Sequence, residues 1–227
     1  PAATRGAGLA VLGGRVEHCT ITRNWGDRWG IGDGVYQTAG EVVNSIAYYN
    51  FNDGVTNFTA DHENLFQSGG VFGFSCTTNA RGLSGVGNVS GDPGFADRFA
   101  NNFRLLPGSS ALDVGTNIAS IATDLDGNAR SRDGNGDTVV APDLGAYEAS
   151  PVNEGSFRVN FRASPEESIG ATSVVFTAFI AGADTSSPVF YWDYIGDAGV
   201  DDFGANRRVI TGSYGTAGYY PVTLSVT

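Results

Sequence analysis

The chain has 227 residues, of which 41% are hydrophobic and 16% charged, so it can form one large or two ordinary domains with buried cores. It carries 24 acidic and 13 basic residues, giving a formal net charge of −11, and every basic residue is an arginine. Such an acidic chain repels nucleic-acid phosphates, and no run of roughly 18 apolar residues could span a membrane, so we expect neither nucleic-acid binding nor membrane insertion.

The first predicted elements are short strands that recur along the chain. Residues 8–24 align without a gap to residues 34–50, at an offset of 26. Such a period, with Gly and Asn between short strands, is typical of a coiled solenoid whose turns pack on one another. We expect Asn24 to stack on Asn50 at a left-handed turn. The identical pairs are Gly8 and Gly34, Gly14 and Gly40, Val16 and Val42, and Asn24 and Asn50.

A third, degenerate turn is predicted through residues 71–76. In that register Cys76 lies two turns from Cys19, roughly 10 Å away if each turn rises about 4.8 Å. That separation is too large for a disulfide bond. We expect both cysteines to be small residues buried in the packed stack.

Six short motifs rich in Gly, Asp and Pro follow between residues 74 and 148. In order they read FSCT, GNVSGDPGF, NFRL, GSSALDVG, DLDGNAR and PDLGAYE. This series resembles the C-terminal end of secreted right-handed parallel β-helix proteins of the choice-of-anchor Q type, over residues 6–150. The resemblance implies a bacterial surface protein whose last turns are sealed by this segment. A polar segment that bends over the last turn would also protect its strand edges, so we expect a terminal cap.

Residues 151–155 form a polar Pro- and Gly-containing break that suits a short linker. Beyond it, apolar residues alternate with a period of two, which predicts antiparallel strands with one buried face. The stretches FRASP, YWD and GYYPVTLSVT resemble those of a polycystic-kidney-disease (PKD) domain, an immunoglobulin-like sandwich, over residues 156–227. Trp192 fits the buried tryptophan of such sandwiches.

Together these patterns predict an all-β chain with two domains. Residues 1–150 are expected to form a short right-handed parallel β-helix with a C-terminal cap, and residues 156–227 an Ig-like β-sandwich. The sequence contains no methionine, from which we expect a piece of a longer protein.

Acidic turns offer candidate calcium ligands in both halves. Oxygen side chains alternate in two Asp-rich runs, although neither has the glycine at position six or the distal glutamate of an EF-hand loop. A further set of carboxylates in the second half would repel one another without a cation. Solvated turn carboxylates are the alternative interpretation. The candidate ligands are Asp124, Asp126, Asn128, Asp133, Asn135, Asp137, Asp193, Asp197 and Asp201.

The placement of acids and bases along the repeat indicates whether the chain could be an enzyme. A polysaccharide lyase needs a base beside clustered acids, and a glycosidase needs paired carboxylates at a set separation. No acid pair recurs at matching positions of adjacent turns. Instead Glu41 faces Arg15 at the offset of 26, which predicts an ion pair between turns. We therefore expect a protein that is not an enzyme.

Aromatic residues crowd the repeat region and are candidates for ligand contact. On a solvent-facing side they could stack on sugar rings, whereas on the inner side they would be core. Neighbours in a strand alternate faces, so Tyr48 and Tyr49 cannot both point inward. The candidates are Trp25, Trp29, Tyr48 and Tyr49.

The functional expectation is a structural or adhesive module of a secreted, cell-surface protein. An open end of the β-helix exposes unpaired strand edges, so self-association through the helix ends could build a head-to-tail filament. One alternative is a carbohydrate-binding or polysaccharide-degrading, pectate-lyase-like protein whose active region lies elsewhere. The other is an adhesin that binds a surface protein.

Overall fold

The structure, a computed structural model, divides the chain into two compact units, Pro1–Pro151 and Val152–Thr227. Among the described residues, all regular secondary-structure elements are β-strands, which confirms the predicted all-β class. The described residues are 5–27, 31–52, 64–150, 158–164, 172–181, 187–195, 199–216 and 220–227.

Short strands make up the first unit. They are β1 (Leu9–Glu17), β2 (Thr20–Thr22), β3 (Trp25–Gly26), β4 (Val35–Val43), β5 (Ile46–Tyr48), β6 (Phe51–Asn52), β7 (Leu65–Gln67), β8 (Val71–Gly73), β9 (Cys76–Thr77), β10 (Phe95–Asp97) and β11 (Asn102–Leu105). Parallel pairing joins the first nine into three ladders, in which β4 lies between β1 and the pair β7 and β8, β5 lies between β2 and β9, and β3 pairs with β6. The chain passes through the ladders in order, so residues 9–26, 35–52 and 65–77 form turn 1, turn 2 and turn 3. β10 and β11 form an antiparallel pair.

The repeat length changes between the turns. Turn 1 pairs with turn 2 at the predicted offset of 26, which places Arg15 opposite Glu41. Turn 2 pairs with turn 3 at an offset of 30, since Val35 lies opposite Leu65. The extra residues fall between β6 and β7 in the sequence.

The offset of 30 places the cysteines in different lines of the stack. Cys76 lies opposite Ile46, and Ile46 lies opposite Thr20. The sequence prediction that put Cys76 in line with Cys19 is therefore wrong by one residue. Both thiols are free, as expected, and burial raises the pKa of the Cys76 thiol to about 12.

Two apolar cores stabilise the first unit, one inside the turns and one outside them. Because side chains alternate faces along a strand, Ala47 points into the coil while Ile46 and Tyr48 point out of it. The inner core consists of Val11, Ile21, Val35, Val42, Ala47 and Phe72. The outer core consists of Ile46, Tyr48, Cys76, Phe95, Leu105, Ala111, Leu112 and Leu144.

Residues 91–149, here called the flanking segment, cover the outward face of the β2–β5–β9 ladder. This part of the predicted cap contacts the side of all three turns. Its apolar residues bury the outward side chains of turns 2 and 3, which would otherwise face water. The hydrogen bonds to the turns run from Ala146 N to Thr20 Oγ1 (3.0 Å), from Gly145 N to Asn44 O (2.7 Å) and from Cys76 Sγ to Gly91 O (3.2 Å).

A shorter stretch, residues 84–89, covers the edge of turn 3. Phe72 N donates to Ser84 O (2.8 Å), and Phe74 N donates to Val86 O (2.7 Å). These bonds satisfy peptide groups that an edge strand would leave unpaired. The end of the coil at turn 3 is thus closed.

The described residues of the second unit form two three-stranded antiparallel sheets. Its strands are β12 (Arg158–Ser164), β13 (Thr172–Ala181), β14 (Phe190–Asp193), β15 (Asp202–Gly204), β16 (Val209–Tyr214) and β17 (Thr223–Val226). One sheet has the order β12–β13–β16 and the other β15–β14–β17. The predicted burial of Trp192 is confirmed, since its side chain is fully buried and its Nε1 donates to Arg207 O (2.7 Å). Phe161 and Phe176 pack against its ring, so both sheets contribute to one core.

Candidate functional site

All three parallel ladders end on turn 1. Strands β1, β2 and β3 each pair with turn 2 on one side, and no strand of the described residues pairs with their other side. Leu9 N donates to Gly34 O (2.9 Å), and alternate peptide groups of a strand face opposite sides, so the N–H of Ala10 points away from turn 2. We call the side of β1, β2 and β3 that faces away from turn 2 the open edge. An exposed edge of this kind is a template for another strand.

An asparagine ladder runs through the coil and ends at the open edge. Asn50 Oδ1 accepts hydrogen bonds from Asn24 N (3.1 Å) and Asn24 Nδ2 (2.9 Å). Asn64 Oδ1 accepts the same pair from Asn50 N and Asn50 Nδ2, both at 2.8 Å. In each step the Oδ1 of one asparagine therefore accepts two hydrogen bonds from the asparagine of the preceding turn. Asn24 Oδ1 accepts no hydrogen bond from the described residues.

The predicted stack of Asn24 on Asn50 is confirmed, but its backbone geometry differs from the prediction. The left-handed conformation belongs to the preceding residues, Arg23 and Tyr49, each with φ of 57°. The side chains of Asn24 and Asn50 point along the stack. The third member, Asn64, was missed because it precedes β7 and has no counterpart in the repeat of 26.

A second ladder joins Cys19, Ser45 and Ser75. Cys19 N donates to Ser45 Oγ (3.1 Å), and Ser45 N donates to Ser75 Oγ (3.0 Å). Ser45 Oγ in turn donates to the carbonyl of Val43 (2.9 Å), and Cys19 Sγ makes the equivalent bond to Glu17 O (3.2 Å). At the open edge a thiol thus takes the place of a hydroxyl. Only the true register of turn 3 reveals this ladder.

Three stacked glycines lie where adjacent turns approach closely. Gly14, Gly40 and Gly70 have φ of 72°, 70° and 78°. A Cβ on Gly40 would lie 2.5 Å from Gly14 O, and a Cβ on Gly70 would lie 2.5 Å from Gly40 O. A Cβ on Gly14 would meet no atom within 4 Å. The space above Gly40 and the space above Gly70 each hold a carbonyl of the preceding turn. At the open edge, no described residue fills the corresponding space above Gly14.

The predicted ion pair between turns is confirmed. Arg15 Nε lies 3.0 Å from Glu41 Oε2, and Arg15 Nη1 lies 2.9 Å from Glu17 Oε1. About half of the Arg15 and Glu41 side chains is exposed, so solvent screens the pair and its contribution to stability is small.

The aromatic candidates do not share one surface. Tyr48 is buried in the outer core. Tyr49 Oη donates to Asp92 Oδ2 (2.6 Å), and the Arg98 guanidinium lies 4.1 Å from the centre of its ring. The flanking segment therefore occupies both tyrosines. Trp25 is 55% exposed, whereas Trp29 lies outside the described residues.

The first set of calcium candidates is engaged by protein donors. The buried Asp124 carboxylate accepts from the backbone N of Asp126, Asn128 and Glu148 and from Asn128 Nδ2. Burial alone would raise the pKa of Asp124, but these hydrogen bonds outweigh it and lower the pKa below its usual value. Asp126 pairs with Arg104, with 2.6 Å between Asp126 Oδ1 and Arg104 Nη2.

Most of the remaining candidates accept hydrogen bonds from nearby backbone N–H groups. Asp133 accepts from Gly136 N and Thr138 N, Asn135 Oδ1 accepts from Asp137 N, Asp137 Oδ1 accepts from Val139 N, and Asp201 Oδ2 accepts from Tyr194 N and Ile195 N. Asp193 ends β14, and Asp197 lies outside the described residues. Over the part of the chain that the structure describes, no group of three or more His, Cys, Asp and Glu side chains could hold a metal ion. Calcium binding stays a prediction.

A buried polar cluster that the sequence did not indicate lies where the flanking segment faces His18 of the coil. Arg130 Nη1 lies 2.8 Å from Glu148 Oε1, with side-chain exposures of 7% and 0%, and it also donates to Gly145 O (3.0 Å). Burial and the Arg130 charge lower the pKa of His18 to about 4. Burial, together with the nearby Glu148 charge, raises the pKa of Asp143 to about 7. These residues lie far apart in sequence, so no local pattern brings them together.

No model of a known protein family, no curated protein and no solved structure matches this chain. In the described ranges no helix is long and apolar enough to cross a membrane.

Proposed function

We propose that the chain is a non-catalytic structural or adhesive module of a secreted, cell-surface protein. Its first unit is interpreted as a short right-handed parallel β-helix and its second as an Ig-like sandwich of the PKD type. The observation that carries the proposal is the set of parallel ladders that all end on the open edge. A coil whose turns contact only their neighbours is a spacer that extends by adding turns.

The extracellular setting is supported by the motif series between residues 74 and 148, which resembles secreted β-helix proteins. An acidic surface without lysine agrees with a role other than binding nucleic acid or anionic membranes. Within this setting the open edge is the surface through which the module joins others. Contacts that run from the open edge of one copy to another part of the next do not close, and they produce filaments.

Electron microscopy of the purified protein, with and without a calcium chelator and over a range of concentrations, tests this proposal. Ordered filaments or end-to-end pairs are the expected result, and their fraying after chelation would support calcium in the acidic turns. Dispersed monomers under every condition would overturn the assembly part of the proposal.

One observation favours a second candidate, a carbohydrate-binding or polysaccharide-degrading protein. Trp25 is exposed and its ring lies 5.9 Å from that of Phe51 in the next turn, so two aromatic rings line the outside of one ladder. Aromatic faces of this kind stack on sugar rings. Binding to soluble polysaccharides that Trp25→Ala abolishes, and that Phe203→Ala at an exposed site of the second unit leaves unchanged, would support this candidate.

A further inference from the structure

We propose that the open edge binds an extended polypeptide segment as one more parallel turn, with a glycine above Gly14 and an asparagine above Asn24. The inference rests on the proposed structural role of the coil and adds the chemistry of the partner. The two can fail separately, since a segment can bind whether or not the whole protein assembles.

The asparagine ladder fixes the direction and register of the incoming segment. In both observed steps an amide oxygen accepts from the backbone N and the Nδ2 of the asparagine in the preceding turn. Asn24 Oδ1 is the acceptor at the start of this series. A donor pair can reach it in the same way only from a strand that runs parallel to turn 1 and carries an asparagine at that position.

The glycine ladder sets a second requirement. Gly14 O lies above Gly40, and Gly40 O lies above Gly70, at distances that exclude a Cβ from the lower residue. All three glycines have positive φ, a conformation that other residues adopt at a cost. The space above Gly14 therefore accepts the carbonyl of a residue in the same conformation, for which glycine is the favoured choice.

The partner is identified by continuity with the interface between turns 1 and 2. Turn 1 presents to the open edge the same groups that turn 2 presents to turn 1, namely a glycine, an outward-facing row of peptide groups and an asparagine. In turns 1 and 2 nine residues separate that glycine from that asparagine. The partner segment is expected to have this Gly and Asn spacing between short alternating strands.

A labelled peptide with the sequence of residues 34–52 is the direct probe, because it contains the required glycine and asparagine. Its binding to the full chain is measured by fluorescence anisotropy, with a scrambled peptide of equal composition as the control. We expect binding of the first peptide and none of the second. A peptide carrying Asn50→Leu is expected to bind at least about tenfold more weakly.

The matched protein variants are Ala10→Pro and Ala10→Thr. Both change the same exposed side chain, but only proline removes the N–H that faces the open edge, and proline is tolerated on the free side of an edge strand. We expect Ala10→Thr to bind the peptide like the unchanged protein and Ala10→Pro to bind it at least about tenfold more weakly. The Asn50→Leu peptide keeps the test decisive if Ala10→Pro folds poorly.

Three results would overturn the inference. One is equal binding of the scrambled peptide, and another is equal binding to Ala10→Pro when that variant is folded. The third is self-association of the protein that Ala10→Pro abolishes and the peptide does not compete with, since the occupant would then be a folded second copy.

Discussion

His18 and Asp143 are buried groups of the first unit. Burial favours the neutral form of each, so it lowers the pKa of His18 and raises the pKa of Asp143. The folded protein holds His18 neutral, because its pKa is lowered from 6.5 to about 4. Its stabilising effect is therefore present above pH 6.5 and lost as the pH falls toward 4. Asp143 has its pKa raised from 3.8 to about 7, so its contribution is present below pH 3.8 and lost as the pH rises through 7.

Replacing His18 with asparagine separates the two effects. Asparagine tolerates the φ of 50° at this position and does not titrate. As the pH falls from 7 to 4, we expect the free energy of unfolding of the variant to increase relative to that of the unchanged protein by up to about 3 kcal/mol. Urea denaturation across this pH range measures the difference. Two curves that remain parallel would contradict the assigned role of His18.

Gly40→Ala and Gly14→Ala form a matched pair at the same position of adjacent turns. Both place alanine at a positive φ, so they share a conformational cost. Only Gly40→Ala also drives a Cβ against Gly14 O, and we expect it to be less stable than Gly14→Ala by at least about 1 kcal/mol. Urea denaturation of the two variants measures this difference, and equal stabilities would show that the turns do not approach as closely as the geometry states.

Sequence reasoning predicted residue contacts well where the repeat is regular. The offset of 26 correctly placed Arg15 beside Glu41 and Asn24 beside Asn50, because both contacts depend only on spacing. It failed at Cys76, since the extra residues between β6 and β7 shift turn 3 by an amount that no pattern of the sequence fixes.

At the scale of the elements, the flanking segment determines which face of the β2–β5–β9 ladder is buried. Residues Ile46 to Tyr48 are buried on both faces of their strand, inward against the inner core and outward against the flanking segment. A continuous apolar run is typical of a strand covered on both sides. The run Ile46–Ala47–Tyr48–Tyr49 could have signalled this cover, whereas the path of the covering segment depends on contacts between residues distant in sequence.

Arg130→Met and Arg104→Met compare a buried with an exposed attachment within the flanking segment. Removing Arg130 leaves the Glu148 carboxylate buried without its partner, and a loss of about 3 to 5 kcal/mol in the free energy of unfolding is expected. Removing Arg104, whose side chain is half exposed beside Asp126, is expected to have little effect. Thermal and urea denaturation of both variants test this contrast, and an equal loss would contradict it.

At the scale of the whole molecule, each unit has a core of its own. The first unit contains the inner and outer cores, and the second contains a core around Trp192. The all-β class followed from the sequence because short apolar runs between Gly and Asn turns do not support helices.

Separate production of residues 1–151 and 152–227 tests whether each core is sufficient for folding. We expect both fragments to unfold cooperatively and their circular dichroism spectra to add up to that of the full chain. The fluorescence of Trp192 in the second fragment is expected to report a buried indole. A second fragment with the emission of an exposed tryptophan would contradict this expectation.

The hydrogen bonds of the flanking segment to Thr20, Asn44 and Cys76 have a mechanical consequence. Under a pulling force along the coil axis, the ladders alone would load in series and the turns would peel away one at a time. The flanking segment connects the turns along their side, so it acts as a splint that carries part of the tension in parallel. The coil is therefore expected to resist stretching as one block, and single-molecule pulling would record its rupture as a single event.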